Sequence, residues 1–524
     1  MPRPLLLNGF MATGKSTLGR RVAEVCGRPF IDLDERIEAR TGQTVAQIFA
    51  DKGEPEFRRL EREELEIVLG EPDAGVVAVG GGALVHRDIR LRALDAAVVV
   101  TLRAGPVEIL RRAREGGRPL LAGPNPLERA AELLDQRARG YAEAHAVIDT
   151  EGRALGEIVE ELRQIWARDA IAVAAGDRSY AVEIGSGIAV ARLPALANHV
   201  SGTLLVTDEV VGKLYGARVQ AALVGAAAPN HNLELESGEA HKNIRSVERI
   251  WEAALAHGLD RKSLFVGLGG GVVTDITGFA ASTWMRGVRW IGLPTSLLAM
   301  VDASVGGKTG VDLDAVKNAV GAFWQPSSVL CDVDFLKSET PRAYTSALAE
   351  IVKTGLIGDP ELFDLLESQS DRVKARDPEL VCELVRRSVR VKARIVGVDE
   401  RESGLRAVLN LGHTVGHAIE GEAGFTRYTH GEAVSLGLVA ALRIGQRLGH
   451  TPAGLAERAV RLLAALGLPA DLGGAPLTGA SGRIESDKKR AGKRVKFVVA
   501  RAVGAVDTVD VEIAALREQI ALLQ

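Results

Sequence analysis

Three groups of residues carry chemistry by their type and spacing. The first is Gly9-Phe10-Met11-Ala12-Thr13-Gly14-Lys15-Ser16, a G-x-x-x-x-G-K-S pattern that follows the apolar run Leu5–Leu7 and opens a helix-periodic stretch. A glycine-rich turn between strand and helix points backbone N–H groups and the positive helix end at phosphate oxygens. With Gly9, Gly14 and Thr17 shaping the loop, Lys15 reaches the β- and γ-oxygens and Ser16 holds Mg2+, so the pattern predicts a site for ATP with Mg2+. The second group lies between Gly267 and Pro326. There an apolar strand, Leu264–Leu268, runs into Gly269-Gly270-Gly271, and a helical pattern starts at Val272. Asp275, Arg286, Asp302, Lys308 and Lys317 place charges in this otherwise apolar region, and unpaired charge is costly in a core. The third group is His413, His417, His430 and Glu350. His413 and His417 share a helical face in GHTVGH, His430 starts a helix in THGE, and Glu350 is a carboxylate on an otherwise apolar helix. Such a set suits a divalent cation, and spacing alone pairs His413 with His417.

The first third of the chain holds further candidates. Asp32-Leu33-Asp34 follows a short strand, Phe57-Arg58 lies on the next helix, and Gly80-Gly81-Gly82 ends another strand. Arg103, Arg111, Arg112, Arg114 and Arg118 cluster before Pro119-Leu120-Leu121, with Gly116-Gly117 among them, a composition suited to a lid over a transferring phosphate.

Together with the phosphate loop, these residues resemble shikimate kinase over about 1–165. The resemblance implies that Asp32 helps order Mg2+ and that Asp34, Arg58, Gly80, Gly81, Gly82 and Arg137 hold shikimate. Asp34 would also take the proton of the attacking hydroxyl, Arg118 would be the lid arginine, and Arg153 would stack near adenine. From about Ala170 to the C-terminus the chain resembles 3-dehydroquinate synthase. That resemblance makes Glu350, His413 and His430 the ligands of one divalent metal, Zn2+ or Co2+, and moves His417 to the substrate side. It lays NAD+ along Asp208, Glu239, Lys242, Gly270, Gly271, Val272, Asp275, Thr295, Ser296, Lys317 and Asn318. Arg286, Asp302, Lys308, Lys353, Lys392, Arg406, Asn410 and Lys488 or Lys489 would meet the substrate, and Glu402 would move a proton. The implied reaction turns 3-deoxy-D-arabino-heptulosonate 7-phosphate into 3-dehydroquinate and phosphate through transient oxidation by NAD+, elimination, re-reduction, ring opening and aldol closure. Three rival readings are another sugar-phosphate cyclase acting on sedoheptulose 7-phosphate, a metal-dependent alcohol dehydrogenase, and a first half that only senses nucleotide.

The elements that must position these residues read as α/β throughout. Residues 1–168 alternate buried strands (Pro4–Leu7, Val76–Val79, Ala97–Leu102) with helices (Leu18–Val25, Thr44–Leu69, Pro126–Ala142), predicting a P-loop domain with a parallel sheet. Residues 169–340 open with a strand pair at Ile171–Ala174 and Tyr180–Ile184 and continue as a Rossmann-like NAD-binding subdomain. Residues 341–524 read as a mainly helical subdomain with a continuous helix at Ala407–Glu420 and a late strand at Val495–Ala500. The short linker near Ala167–Asp169 is expected to tether two autonomous enzymes.

Bulk composition narrows the partners to small molecules. A net charge of −3 carries no basic bias toward nucleic acid or a membrane surface, and 4% aromatic residues are poor material for stacking on bases. Cys26, Cys331 and Cys382 are far apart with no CxxC pair, which predicts a reducing, cytoplasmic compartment. No apolar run approaches the ~18 residues of a membrane span. A homodimer through the second half is the expected assembly.

Overall fold

Leu5–Gly9 is buried at every residue, as a strand covered on both faces must be. Its side chains alternate: Leu6 joins Val77 and Val99 in one core, while Leu5 and Leu7 join Val76, Val98 and Val100 in another. In this computed structural model the residues described are 3–71, 73–113, 124–224, 228–314, 316–424, 426–488 and 494–523, without the side chains of 484–488. The chain divides into two compact units, Met1–Glu183 and Ile184–Gln524.

In the first unit five parallel strands run in the order Phe30–Asp32, Val76–Ala78, Leu5–Gly9, Val98–Arg103 and Ala146–Asp149. Helices Lys15–Cys26, Val45–Leu69 and Pro126–Ala142 fall close to their expected places. The long one is kinked at Gly53, with φ of 79°. An antiparallel hairpin, Ile171–Val173 with Tyr180–Gly185, follows the closing helix Leu155–Arg168. Ala172 and Ala174 are buried in the same core as Leu6 and Val77, so the first unit extends past residue 168.

The second unit has parallel strands in the order Ser328–Asp332, Arg289–Pro294, Leu264–Gly269, Thr203–Asp208 and Asn230–Leu235. Helix Gly271–Thr283 packs back on them. An antiparallel hairpin of Lys308–Leu313 with Val316–Phe323 was not anticipated; its second strand is exposed almost throughout and so lacks the alternation that marks a half-buried strand. Helices Pro341–Gly358, Pro378–Val398 and His430–Arg447 form much of the rest. The expected continuous helix at Ala407–Glu420 is instead a 3-10 turn, Leu405–Asn410, followed by helix His413–Glu422. Gly412 between them has φ of 79°, which no helix tolerates. The late strand, Arg494–Ala502, pairs with an unanticipated Ala505–Glu512. Among the described residues no helix is long and apolar enough to cross a membrane.

Candidate active sites

The phosphate loop of the first unit leaves strand Leu5–Gly9 and enters helix Lys15–Cys26, whose first turn no side chain caps. Lys15 Nζ donates to the carbonyls of Gly9 and Phe10, each at 2.9 Å, which folds the ammonium over the loop. Ser16 Oγ lies 2.6 Å from Asp32 Oδ2, so hydroxyl and carboxylate face one another where Mg2+ is expected. Asp32 Oδ1 also accepts the N–H of Asp34, turning the chain so that Asp34 and Gly80 meet.

Gly80 has no room for a side chain: a Cβ there would overlap Glu61 and press on Asp34, and one on Gly82 would overlap the Arg58 guanidinium. Arg137 donates to the Gly81 carbonyl at 3.1 Å, and Tyr141 OH does so at 2.6 Å. Asp34, Arg58, Gly80, Gly81, Gly82 and Arg137 are therefore brought together. Sequence reading missed Glu61, which holds Arg58 NH1 at 2.6 Å and is 1% exposed. Burial, against the pull of Arg58, pushes its carboxyl up to about 7. Its place three residues past Arg58 on one helical face was the available signal. Arg153 is exposed and paired with Glu161 at 2.8 Å. Arg114 and Arg118, with the lid they were expected to form, lie outside the described residues, as does Lys489; the side chain of Lys488 is likewise not described.

In the second unit three helices meet where one of them, His430–Arg447, presents glycines to the other two. A Cβ on Gly431 would overlap the Ser346 carbonyl, one turn before Glu350, and one on Gly437 would overlap the Gly412 carbonyl beside His413. This close approach gathers the third group of residues. Glu350 Oε1 lies 3.4 Å from His413 Nε2 and 3.3 Å from His430 Nε2. It is a buried oxygen that accepts no hydrogen bond among the described residues. Ligands on a tetrahedral ion with ~2.1 Å bonds stand about 3.4 Å apart, the spacing of Glu350 Oε1 from each imidazole nitrogen, so the donor set suits a divalent metal. The nitrogens of His413, His417 and His430 also lie within 4.8 Å of one another, so the pairing suggested by spacing is a true neighbourhood. His417, however, opens outward and is exposed.

Glu350 Oε2 pairs with Lys353 Nζ at 2.5 Å, both side chains nearly inaccessible. Burial would raise the Glu350 carboxyl, but Lys353 and the imidazoles outweigh it and hold it well below the usual range. Burial, reinforced by Lys353, lowers His413 to about 3. Lys392 contacts the carbonyl and carboxylate of Asp302; against the opposing effect of burial, it brings that carboxyl to about 2. Arg406, 2% exposed, donates to the carbonyls of Gly306 and Glu400. Lys353, Lys392 and Arg406 thus bring three cationic groups close to Glu350 and Asp302. Lys308 and Asn410 both hold Glu402, whose own φ is 58°. Asp399, another residue missed from sequence, fixes that loop by accepting the N–H groups of Ser403, Gly404 and Arg406.

On the dinucleotide side, helix Gly271–Thr283 starts at Gly270 with no side-chain cap, leaving its first N–H groups for a phosphate. None of Gly269, Gly270 and Gly271 has a positive φ, and Gly269 is small because Val273 packs against it. The Thr295 N–H ties back to the Gly269 carbonyl at 2.9 Å, with Ser296 next to it. Val272 is half-buried and packs against the core behind the turn. Lys242 Nζ bridges Asp275 Oδ2 and Asn318 Oδ1, each at 2.6 Å. Burial raises the Asp275 carboxyl to about 6 despite Lys242. Asp208 caps the N–H groups of Val210 and Val211, and Glu239 is exposed on the turn before Lys242.

Of the charges between Gly267 and Pro326, Arg286, Lys308 and Lys317 are exposed, the two lysines pairing with Glu402 and Glu420, while Asp275 and Asp302 are half-buried. Arg286 sits on a turn with φ of 67° and has no hydrogen-bond partner among the described residues.

Comparison with known proteins decides the family. Residues 232–346 match the family model for the N-terminal part of 3-dehydroquinate synthase, 347–490 that for its C-terminal part, and 11–166 that for shikimate kinase. A 3-dehydroquinate synthase of Acidithiobacillus ferrooxidans is 43% identical over 347 residues, 66% of this chain and 95% of that protein. The chain belongs to the 3-dehydroquinate synthase family. A second synthase, from Gloeobacter violaceus, is 46% identical over 313 residues, 59% of this chain and 86% of that protein. Among solved structures, ValA, the 2-epi-5-epi-valiolone synthase of Streptomyces hygroscopicus subsp. jinggangensis 5008, was determined with NAD+ and Zn2+ bound. It is 29% identical with a TM-score of 0.60 and covers 66% of this chain and 96% of that one. The synthase family thus accounts for the second unit, and a shikimate kinase domain precedes it in the same chain.

Proposed function

We propose that this chain catalyses two reactions of aromatic biosynthesis: ATP-dependent phosphorylation of shikimate to shikimate 3-phosphate, and conversion of 3-deoxy-D-arabino-heptulosonate 7-phosphate to 3-dehydroquinate and phosphate. Identity of 43–46% to synthases, against 29% to a valiolone synthase, favours the dehydroquinate reaction over the other cyclisation.

In the kinase unit the loop Gly9–Thr17 and Lys15 hold the triphosphate, while Ser16 and Asp32 face its Mg2+. Asp34 is the base for the attacking hydroxyl, and Arg58 and Arg137 form the fork for the shikimate carboxylate. Glu61 keeps Arg58 aimed. Arg118 is the lid arginine and Arg153 borders adenine.

In the synthase unit Glu350, His413 and His430 would hold Zn2+ or Co2+, and the uncapped turn at Gly270–Gly271 would take the NAD+ diphosphate, with Asp208, Glu239, Lys242, Val272, Asp275, Thr295, Ser296, Lys317 and Asn318 around it. When bound, the metal polarises a substrate oxygen and NAD+ accepts and returns a hydride. Lys353, Lys392 and Arg406 orient the phosphate and carboxylate of the substrate, joined by Arg286, Asp302, Lys308, Asn410 and a lysine at 488 or 489. Glu402, held between Lys308 and Asn410, is placed to move a proton, and His417 faces the substrate. The protein is cytoplasmic in this reading. Its second unit pairs with a copy of itself in the same reading.

The observation that carries the synthase half is the convergence of two imidazole nitrogens on the unsatisfied Glu350 oxygen. Chelation should silence phosphate release and Zn2+ or Co2+ should restore it. Full activity of the chelated protein with no added divalent metal would overturn the assignment.

A further inference from the structure

His430 is faced at both ring nitrogens. Its Nε2 lies 3.3 Å from Glu350 Oε1, and its Nδ1 lies 3.5 Å from Glu420 Oε2. Glu420 stands seven residues after His413 in helix His413–Glu422, two turns on and on the same face. It is only 7% exposed, and its other oxygen accepts from Lys317 Nζ at 3.1 Å. Lys317 belongs to the hairpin strand Val316–Phe323, remote in sequence. A carboxylate this well buried is costly unless it is paired, and its partners are an imidazole and an ammonium.

The ring chemistry gives the arrangement a purpose. A neutral imidazole has one N–H and one lone pair. For Nε2 of His430 to offer its lone pair toward Glu350, the proton must sit on Nδ1, where Glu420 faces it. His413 follows the same rule with a different acceptor: its Nε2 faces Glu350 at 3.4 Å and its Nδ1 lies 3.2 Å from the Leu411 carbonyl. Histidines that ligate metals commonly give their second N–H to a carboxylate or backbone carbonyl, which fixes tautomer and ring angle.

We propose that Glu420 is a positioning residue of the metal site: it accepts the Nδ1–H of His430, so that Nε2 is held ready for the cation, and Lys317 keeps the carboxylate in place. The inference rests on Glu350, His413 and His430 being the ligands.

The test is Zn2+ affinity of the full chain, measured by competition with a chromophoric chelator without NAD+ or substrate. Glu420→Ala should bind Zn2+ about 10- to 100-fold more weakly. The Co2+ absorption spectrum of the loaded protein should also change, while shikimate phosphorylation stays at the wild-type rate. Glu420→Gln, whose amide oxygen can still accept, should lose at least about threefold and carries the test if the alanine variant is insoluble. Wild-type affinity and an unchanged Co2+ spectrum in the Glu420 variants, alongside loss of metal in His413→Ala, would overturn the inference and leave the ligand assignment intact. Wild-type affinity in His413→Ala would overturn the ligand assignment itself.

Discussion

Replacing Glu350 by glutamine separates what this carboxylate does for a metal from what it does for Lys353. The pair is 2.5 Å apart with side chains 2% and 4% exposed. At an effective dielectric constant near 20, two unit charges at that distance attract by about 7 kcal/mol before desolvation is counted. Removing one partner of such a buried pair leaves the other charge uncompensated and costs about 3–5 kcal/mol. In a unit of this size, that is a fall of about 4–7 °C in melting temperature. Calorimetry of the full chain in the presence of a chelator should show this fall in the synthase transition of Glu350→Gln, with the kinase transition unmoved. Neutralising both charges in Glu350→Gln/Lys353→Met should recover most of the lost stability. Neither variant should retain Zn2+. A single variant that melts within about 1 °C of wild type would refute the claim that the pair is buried and mutually dependent. A single variant that still binds Zn2+ tightly would refute the ligand role.

Three further outcomes follow from the kinase unit. Lys15→Ala should reduce shikimate phosphorylation by more than tenfold, a loss above about 1.4 kcal/mol, and leave cyclisation unchanged; a tenth or more of wild-type phosphorylation would count against the loop assignment. The Glu61 carboxyl is raised from 4.5 to about 7 mainly by burial, so its contribution to stability is full below pH ~4.5 and is lost as pH rises through ~7. Denaturation of wild type and Glu61→Gln from pH 5 to 8 should show the difference between them shift by as much as about 3 kcal/mol, the wild type falling relative to the variant as pH rises; parallel curves would be contrary. The third outcome concerns the linker. Asp169 pairs with Arg3 at 2.7 Å, Ala172 and Ala174 belong to the kinase core, and the Gly176 N–H donates to the fully buried Glu143. A fragment of residues 1–168 should therefore be less stable than one of 1–185 and lose phosphorylation more readily on warming; equal melting temperatures would show that the hairpin is dispensable.

What could be read from the chain depended on whether meaning was local. The loop Gly9–Ser16 was legible because strand, glycines, lysine and helix are consecutive, and Leu5–Leu7 was legible as a buried strand because both its faces are covered. Glu61 and Glu420 were not singled out, since each acquires its role only from a partner, Arg58 or His430, that folding brings alongside. The proposed metal ligands were only half legible. Two histidines four apart announced a site, but replacing His417 by Glu350 and His430 required the resemblance, because three separate helices supply them. The hairpin strand Val316–Phe323 was invisible because exposure on both sides removes the alternation that reveals strands. The helix expected over Ala407–Glu420 shows the opposite error: its apolar spacing is helical on both sides of Gly412, yet that residue breaks it.

The most direct test of the central claim, one chain with two chemistries, uses a single preparation of the full-length protein. Supplied with 3-deoxy-D-arabino-heptulosonate 7-phosphate, Zn2+ and NAD+ at a small fraction of the substrate, it should release phosphate to completion with no accumulation of NADH absorbance. Supplied with shikimate and ATP–Mg2+, the same preparation should form ADP and shikimate 3-phosphate in equal amounts. One NADH per product in the first assay, or no ADP formation that depends on shikimate in the second, would contradict the account.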